Sequence, residues 1–152
     1  MPKKIVATAA FVALFPATSA SAGSDRAAGT HCRRYANTAR LVTHALHRPL
    51  FATTLSTTWC YDGQHVVRLA GVRIVPTLST LGSFLTWEFK GAVPGASENR
   101  VFSRDGRRRA GYRVRRIVQW QQCPARCFNY YLELNNFLYW DGHKGRLNRV
   151  RK

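Results

Sequence analysis

From Leu50 onward, apolar and polar residues alternate along the chain with a period of two. The run at 50–61 places six side chains on one side of a strand: Phe51, Thr53, Leu55, Thr57, Trp59 and Tyr61. Thr54, Ser56 and Thr58 lie on the other side. Because successive side chains of a strand point to opposite faces, this pattern predicts a β-strand with one buried face. Asp62-Gly63 follows and predicts a two-residue hairpin turn, since this pair accepts positive φ.

Four further runs predict strands. The return run at 64–75 is rich in Val and Ile and stops at Pro76, and the runs at 83–90, 111–122 and 128–134 alternate in the same way. In the 111–122 run, one side carries Tyr112, Val114, Val118 and Trp120, and the other carries Arg113, Arg115, Ile117 and Gln119. Turn-forming residues predict a loop at 91–99 and turns at Asp105-Gly106, Asn135-Asn136 and Asp141-Gly142.

Roughly six short strands, with a turn about every ten residues, predict an all-β fold that is a small antiparallel β-sandwich or barrel. We place this β domain at 50–142. The segment 23–49 is predicted to be a lead-in with one helix or one strand, because its apolar residues fit either periodicity. Residues 143–152 are basic and have little to bury, so they predict a tail.

The first 22 residues have the three parts of a secretory signal peptide. Lys3 and Lys4 give a positive start, residues 5–17 are apolar without a charge, and Ala20-Ser21-Ala22 offers small residues at a cleavage site. The apolar run is short for a resident membrane-spanning helix. The sequence therefore predicts export, a mature chain of 23–152 and a secreted, extracellular location. A buried N-terminal helix is the alternative.

Four cysteines and an oxidising destination predict two disulfide bonds. Cys123 and Cys127 are near enough in sequence to close a tight loop between two strands, which leaves Cys32 to pair with Cys60. We favour this pairing, and crossed pairings stay open. A metal site that combines these cysteines with His31 or His65 is the alternative, but zinc sites usually supply two close cysteine pairs. We expect no metal ion and no cofactor.

The stretch Trp59-Cys60-Tyr61-Asp62-Gly63 is followed by a Val-rich return strand, a late cysteine pair and an aromatic strand. This arrangement resembles small secreted β-proteins of high-GC bacteria that are known as uncharacterised sequences. The resemblance covers 50–142 loosely, and only the five-residue stretch is specific. It implies a β fold and export, and it carries no activity.

Charge makes this β-protein strongly cationic. The chain has 24 Lys and Arg against 7 Asp and Glu, for a net charge of +17. The densest cluster predicts a polyanion-binding surface made of Arg107, Arg108, Arg109, Arg113, Arg115 and Arg116. Guanidinium groups pair with phosphate, sulfate or carboxylate in a bidentate manner. The alternative is a solvated surface, because GC-rich codons also raise the Arg content and positive charge keeps an exported protein soluble.

Aromatic residues offer a second candidate surface. Adjacent rings in a strand face opposite ways, as at Tyr130-Tyr131 and Tyr139-Trp140, so one face exposes rings unless both faces are covered. Exposed rings stack on sugars or on nucleic-acid bases. Trp120, Tyr131 and Tyr139 are therefore candidates for carbohydrate binding. Burial of most of these rings in the core is the alternative.

Catalysis has little support in the residues present. The acidic residues stand apart in sequence, and neither a G-x-S-x-G nor an H-E-x-x-H motif occurs. Glu133, His143 and Arg113 supply the residue types of a small basic nuclease, although their spacing does not require them to meet. A membrane-active toxin is a weaker alternative, because no long amphipathic helix is predicted.

These patterns together predict a secreted, non-catalytic binding protein. Its expected partner is an extracellular polyanion, a cell-wall polymer or the anionic cell envelope, bound by the arginine cluster. The alternatives are a carbohydrate-binding β-module that uses exposed aromatic rings and a small basic secreted nuclease. Salt separates the first two, because binding by charge weakens steeply with ionic strength and stacking on a neutral sugar does not.

Overall fold

The computed structural model describes residues 29–43, 45, 47–104 and 106–152, with the side chains at 107–109 left aside. The signal peptide predicted over 1–22 lies outside the described residues, as do His44 and Asp105. Across the described part of the chain, no helix has the length and apolar character needed to cross a membrane.

The described residues contain eight strands and one short helix. In chain order they are β1 (His31–Val42), β2 (Pro49–Tyr61), β3 (Val66–Leu78), α1 (Thr80–Phe84), β4 (Trp87–Ala92), β5 (Glu98–Arg104), β6 (Arg107–Gln122), β7 (Phe128–Tyr139) and β8 (Lys144–Arg151). The prediction of an all-β fold is confirmed.

The strands form two antiparallel sheets. The three-stranded sheet has the order β1-β2-β3, and the five-stranded sheet has the order β4-β6-β7-β8, with β5 also paired to β6. With 16 residues, β6 is long enough to pair with β5 along its first half and with β4 along its second half. It therefore forms the centre of the larger sheet, with β7 on its other side.

The core lies between the two sheets, which pack face to face. The ring of Phe51 stacks on Trp120 with centroids 4.4 Å apart, and Trp120 Nε1 donates a hydrogen bond to Thr53 Oγ1 at 2.9 Å. Other fully buried apolar residues from both sheets are Leu55, Trp59, Val114, Val118, Leu132, Leu134 and Leu138. The alternation predicted for 50–61 and 111–122 is confirmed, because the predicted apolar sides face each other across this core.

Asn135-Asn136 does not form the predicted turn, because β7 continues through it. Both asparagines are fully buried. Asn136 Nδ2 donates to Leu55 O and Thr57 Oγ1 across the core, and Asn135 Nδ2 donates to Leu147 O on β8. Burial of an amide is tolerated when it is hydrogen-bonded, and here neighbouring strands supply acceptors for both Nδ2 groups. Within the described structure, Asn136 Oδ1 is buried without a partner.

Two other predicted boundaries were wrong. The return strand β3 runs through Pro76 to Leu78, which is tolerated because β3 is an edge strand where a missing N–H costs no ladder bond. Residues 80–84 form α1 rather than the start of a strand, with Ser79 Oγ accepting from the Gly82 N–H as N-cap. The predicted strand at 83–90 therefore begins only at Trp87.

The β2–β3 hairpin predicted at Asp62-Gly63 is confirmed, with a longer connection than the expected two residues. β2 ends at Tyr61 and β3 begins at Val66, and Asp62 Oδ1 accepts hydrogen bonds from the backbone N–H groups of Gln64 and His65. These bonds hold the pKa of Asp62 below its ordinary value.

Two segments expected outside the β domain form strands at opposite ends of the chain. The ambiguous segment within 23–49 is the strand β1, which pairs with β2. The segment 143–152 contains β8, which pairs with β7 from Leu138↔Lys144 to Tyr131↔Arg151. Each of these strands is an edge of its sheet, because it pairs with a neighbour on one side only.

Both predicted disulfides are present. Cys32 on β1 is bonded to Cys60, its register partner on β2. Cys123 is bonded to Cys127 in the connection between β6 and β7. The first bridge, with a sequence separation of 28 against 4, constrains the unfolded chain more and stabilises the fold more.

Candidate anion-binding surface

The outer face of the five-stranded sheet is the surface of β4–β8 that points away from the core. Since the even-numbered residues of β6 and β7 fill the core, their odd-numbered residues lie on this outer face. Its central side chains are Arg113, Arg115, Glu133, Asn135, Phe137 and Tyr139.

In the middle of this face, two arginines bind one carboxylate, that of Glu133. Glu133 is only 3% exposed, although it lies on the outer side, because two arginines cover it. Arg115 Nε donates to its Oε1 and Arg151 Nη2 donates to its Oε2, each at 2.9 Å. The Asn135 amide adds a longer bond to Oε1 at 3.4 Å. One negative charge is therefore shared between two guanidinium groups.

The electrostatics of Glu133 follow from these contacts. Burial alone would raise its pKa, but hydrogen bonds from Asn135 and Arg115 and the positive charges of Arg115 and Arg151 outweigh burial. The pKa of Glu133 therefore lies below its ordinary value, and the side chain is a carboxylate at neutral pH.

Arg113 is held differently, by a neutral partner. Its Nε and Nη2 both donate to Asn135 Oδ1, at 3.0 and 2.9 Å, and its guanidinium lies 5.9 Å from the ring centroid of Phe137. An amide oxygen orients a guanidinium without neutralising it, so Arg113 is fixed in place and keeps its whole charge.

Arg100 lies directly opposite Arg113 in the β5–β6 register. Like charges opposite each other destabilise a sheet. Among the described residues, the salt bridges to acidic side chains include neither Arg100 nor Arg113. The two line an open depression of about 510 Å³ together with Val101, Phe102, Ser103 and Phe137. The pair is an unneutralised cationic centre.

Aromatic rings form the wall beside this centre. Phe102 meets Phe137 and Tyr139 edge-on, with ring centroids 6.2 and 5.5 Å apart. The ring of Phe102 lies over Gly111, where an added Cβ would fall 2.5 Å from Phe102 Cζ. The surface therefore combines two positive charges with apolar ring edges.

The predicted arginine cluster is divided by the structure. Arg113 and Arg115 lie on the outer face, but Arg115 is bound to Glu133. Arg116 points to the opposite side of β6, and its Nη1 donates to Glu98 O and Asn99 Oδ1. Burial lowers the pKa of Arg116. Its inclusion in one surface with Arg113 was wrong, because adjacent strand residues face opposite ways.

The other predicted arginines, Arg107, Arg108 and Arg109, begin β6 directly after the β5–β6 turn. Their side chains lie outside the described part of the structure. Their backbone positions are within about 20 Å of Arg113 along the strand, so they remain candidates for the same surface.

The three predicted carbohydrate-binding rings do not form one surface. Trp120 is 1% exposed and belongs to the core, so its ring is unavailable to a sugar. Tyr131 and Tyr139 are both on the outer face, but eight residues of strand separate them by about 27 Å. Only Tyr139 joins the aromatic wall, through Phe102.

Of the residues proposed for a nuclease, Arg113 and Glu133 both contact Asn135, but His143 lies apart from Glu133. His143 lies in the β7–β8 turn, where its Nδ1 is 2.8 Å from Asp141 Oδ2. The backbone N–H of Tyr139 on β7 donates to His143 O. Glu133 lies six residues before Tyr139, which is about 20 Å along the strand. In the described ranges, no group of three or more His, Cys, Asp or Glu residues is arranged to hold a metal ion.

Sequence analysis did not identify Arg100, Phe102 or Phe137 as site residues. A signal was present, because Arg100, Phe102 and Arg104 alternate with Asn99, Val101 and Ser103. The preceding Pro and Gly residues favoured a loop over 91–99 and hid the strand that begins at Glu98.

Comparison of the chain with protein-family models, with curated proteins and with solved structures finds no match.

Proposed function

We propose that this protein is a non-catalytic polyanion-binding protein whose binding centre is the Arg100–Arg113 pair. The observation that carries the proposal is the placement of two arginines directly opposite each other, beside the Asn135 amide and the rings of Phe102 and Phe137. An anion bound between them would remove their repulsion and pair with both guanidinium forks.

The aromatic wall narrows the class of polyanion. Phe102 and Phe137 line the same depression as the two arginines. Sugar rings pack against aromatic side chains while their phosphate or sulfate groups pair with guanidinium. We therefore favour a polymer whose anionic groups are carried on sugar rings, such as a sulfated glycan or a nucleic acid, over a polycarboxylate.

We propose that the protein binds this partner outside the cell. Two disulfides are compatible with an oxidising compartment, and the sequence has the pattern of an export signal. Arg107, Arg108 and Arg109 would extend the contact along the polymer. Exchanging these three for Gln is expected to lower affinity further and to flatten its salt dependence.

Heparin binding measured across a salt series tests the proposal. We expect Arg100→Gln/Arg113→Gln to weaken binding about tenfold or more at low salt, and to reduce the slope of log K against log salt by about two, one per lost contact. Arg48→Gln/Arg126→Gln is the matched control, since it removes two exposed charges from loops outside this surface.

Equal losses in the two double variants would mean that net charge, and not the Arg100–Arg113 pair, drives binding. Binding that survives high salt and is lost in Phe137→Ala would favour the neutral carbohydrate alternative, for which the aromatic wall is the supporting observation.

A further inference from the structure

The outer face of the three-stranded sheet is a second cationic surface, on the opposite side of the molecule. Its central strand β2 presents short side chains there: Ala52, Thr54, Ser56 and Thr58. The flanking strands present arginines: Arg34 and Arg40 from β1, and Arg68 and Arg73 from β3. Long cationic side chains therefore lie on both sides of a strand whose outward side chains are short, three of them with hydroxyl groups.

Two of these arginines lie on either side of the same hydroxyls. Thr58 is the register partner of Arg34 on β1, and Ser56 is the partner of Arg73 on β3. Arg34 Nε donates to Ser56 Oγ at 2.7 Å. The Arg34 guanidinium therefore lies over β2 and not out in solvent beside β1. The four residues line a depression of about 260 Å³ together with Gly71 and Val72.

Gly71 keeps this depression open. It is the register partner of Thr58 on the side opposite Arg34, and a Cβ added to it would meet nothing within 4 Å. A side chain at this position would project into the depression that Arg34 and Arg73 also line. The absence of one leaves the depression of about 260 Å³ open to solvent.

The charges around the depression all have one sign. No acidic side chain is among its lining residues, and the ion pairs found in the described ranges include neither Arg34 nor Arg73. Arg34 donates to a neutral hydroxyl, which leaves its charge uncompensated. Hydroxyls of Ser56 and Thr58 can donate to an anion in the same space.

We propose that this depression, the Arg34–Arg73 site, binds one phosphate or sulfate group and is separate from the Arg100–Arg113 centre. The part of the inference that concerns polymers rests on the proposed function. Because the two sheets lie back to back, their outer faces point in opposite directions, and one straight segment of polymer cannot contact both. The protein would then bridge two polyanion chains.

Titration with inorganic phosphate and with inorganic sulfate tests the Arg34–Arg73 site by itself. We expect a saturable shift of the Arg34 and Arg73 Nε–Hε resonances in NMR spectra, and its loss in Gly71→Glu, which places a carboxylate in the depression. Thr77→Glu is the matched control on the outer face of the same strand, six residues away, and it should keep the shift. Saturation by one of the two anions alone identifies which oxyanion the site prefers.

A shift that grows linearly without saturation, or one that Gly71→Glu leaves unchanged, would overturn the site. Gly71→Glu is expected to fold, since nothing lies within 4 Å of the added Cβ. Gly71→Val, which fills the depression without a charge, should also abolish the shift, and a shift that persists in this variant would contradict binding in the open depression.

A short heparin hexasaccharide then separates this inference from the proposed function. We expect two equivalents per wild-type protein by calorimetry, one for Gly71→Glu, one for Arg100→Gln/Arg113→Gln and two for Thr77→Glu. No binding to the wild type would refute the proposed function. If the wild type binds one equivalent, and only the Arg100→Gln/Arg113→Gln change abolishes it, the proposed function stands and the second site is refuted.

Long heparin tests bridging. The wild type should form large complexes that scatter light at intermediate mixing ratios and dissolve when either component is in excess. Each single-face variant should bind without forming them. Equal scattering by the wild type and by Gly71→Glu would contradict bridging through this face.

Discussion

The two outer faces of this molecule carry arginines in contrasting surroundings. On the five-stranded sheet, Glu133 binds Arg115 and Arg151, and Asn135 binds Arg113. On the three-stranded sheet, Arg34 has a serine hydroxyl as its partner. The first face has a buried carboxylate beside its arginines, whereas the central strand of the second face offers its arginines only short neutral side chains. The number of arginines on a face therefore says less about binding than the partners that each one has.

The same contrast appears at one glycine on each face. Gly111 lies under the ring of Phe102, and an added Cβ would be 2.6 Å from the backbone oxygen of Leu138. Gly71 lies beside open space. One glycine allows close packing and the other leaves a depression, so the two residues have opposite roles in their sheets.

The largest effect on stability is expected from Glu133→Gln. It leaves Arg115 and Arg151 without a carboxylate, and we expect a loss of about 2 kcal/mol in the free energy of unfolding, measured by urea denaturation. Glu88→Gln is the control, since Glu88 is paired with Lys90 but is 68% exposed, and its loss should be below about 0.5 kcal/mol. Similar losses in both variants would show that the buried network adds no stability of its own.

Alanine at the two glycines should give opposite results. Gly111→Ala must displace Phe102 or the β7 backbone, and we expect it to destabilise the protein by about 1–2 kcal/mol. Gly71→Ala should be neutral or stabilising by about 0.5 kcal/mol, because it restricts the unfolded chain without a clash. Thermal unfolding of the two variants beside the wild type measures the difference. Destabilisation by Gly71→Ala would contradict the open depression.

Acid should weaken the five-stranded face through Glu133. Because its pKa is lower in the folded than in the unfolded chain, the stabilisation is complete above the ordinary value of 4.5 and is lost as pH falls through the folded-state pKa. We expect the stability advantage of the wild type over Glu133→Gln to shrink below pH 4.5. Asp62 and Asp141 also have lowered pKa values, but they are the same in both proteins and cancel in the difference. A constant difference down to low pH would exclude this role.

Local rules predicted the parts of the fold that local chemistry controls. Alternation at 50–61 and 111–122 identified the buried faces, and the Cys123–Cys127 spacing identified a tight bridge, which left Cys32 for Cys60. The same rules were wrong at Asn135-Asn136, because turn propensity is overridden when other strands accept hydrogen bonds from the buried amide nitrogens. The rules were also wrong to place Arg116 beside Arg113. The two-residue period of a strand already puts residues 113 and 116 on opposite faces.

The sequence by itself determined the strongly cationic character and the β-strand periodicity, and it favoured the short Cys123–Cys127 bridge, because these depend on composition and on neighbours a few residues away. The Cys32–Cys60 bridge joins residues 28 apart and depends on the pairing of β1 with β2. The tertiary structure alone decided which arginines are neutralised. Arg113 and Arg100 meet through the β5–β6 register, and Arg115 meets Glu133 across β6 and β7. Likewise, Arg34 and Arg73 come to either side of Ser56 only because β1 and β3 both pair with β2. Charge compensation acts over a few ångströms in space, and those distances are created by strand pairing between residues far apart in the chain.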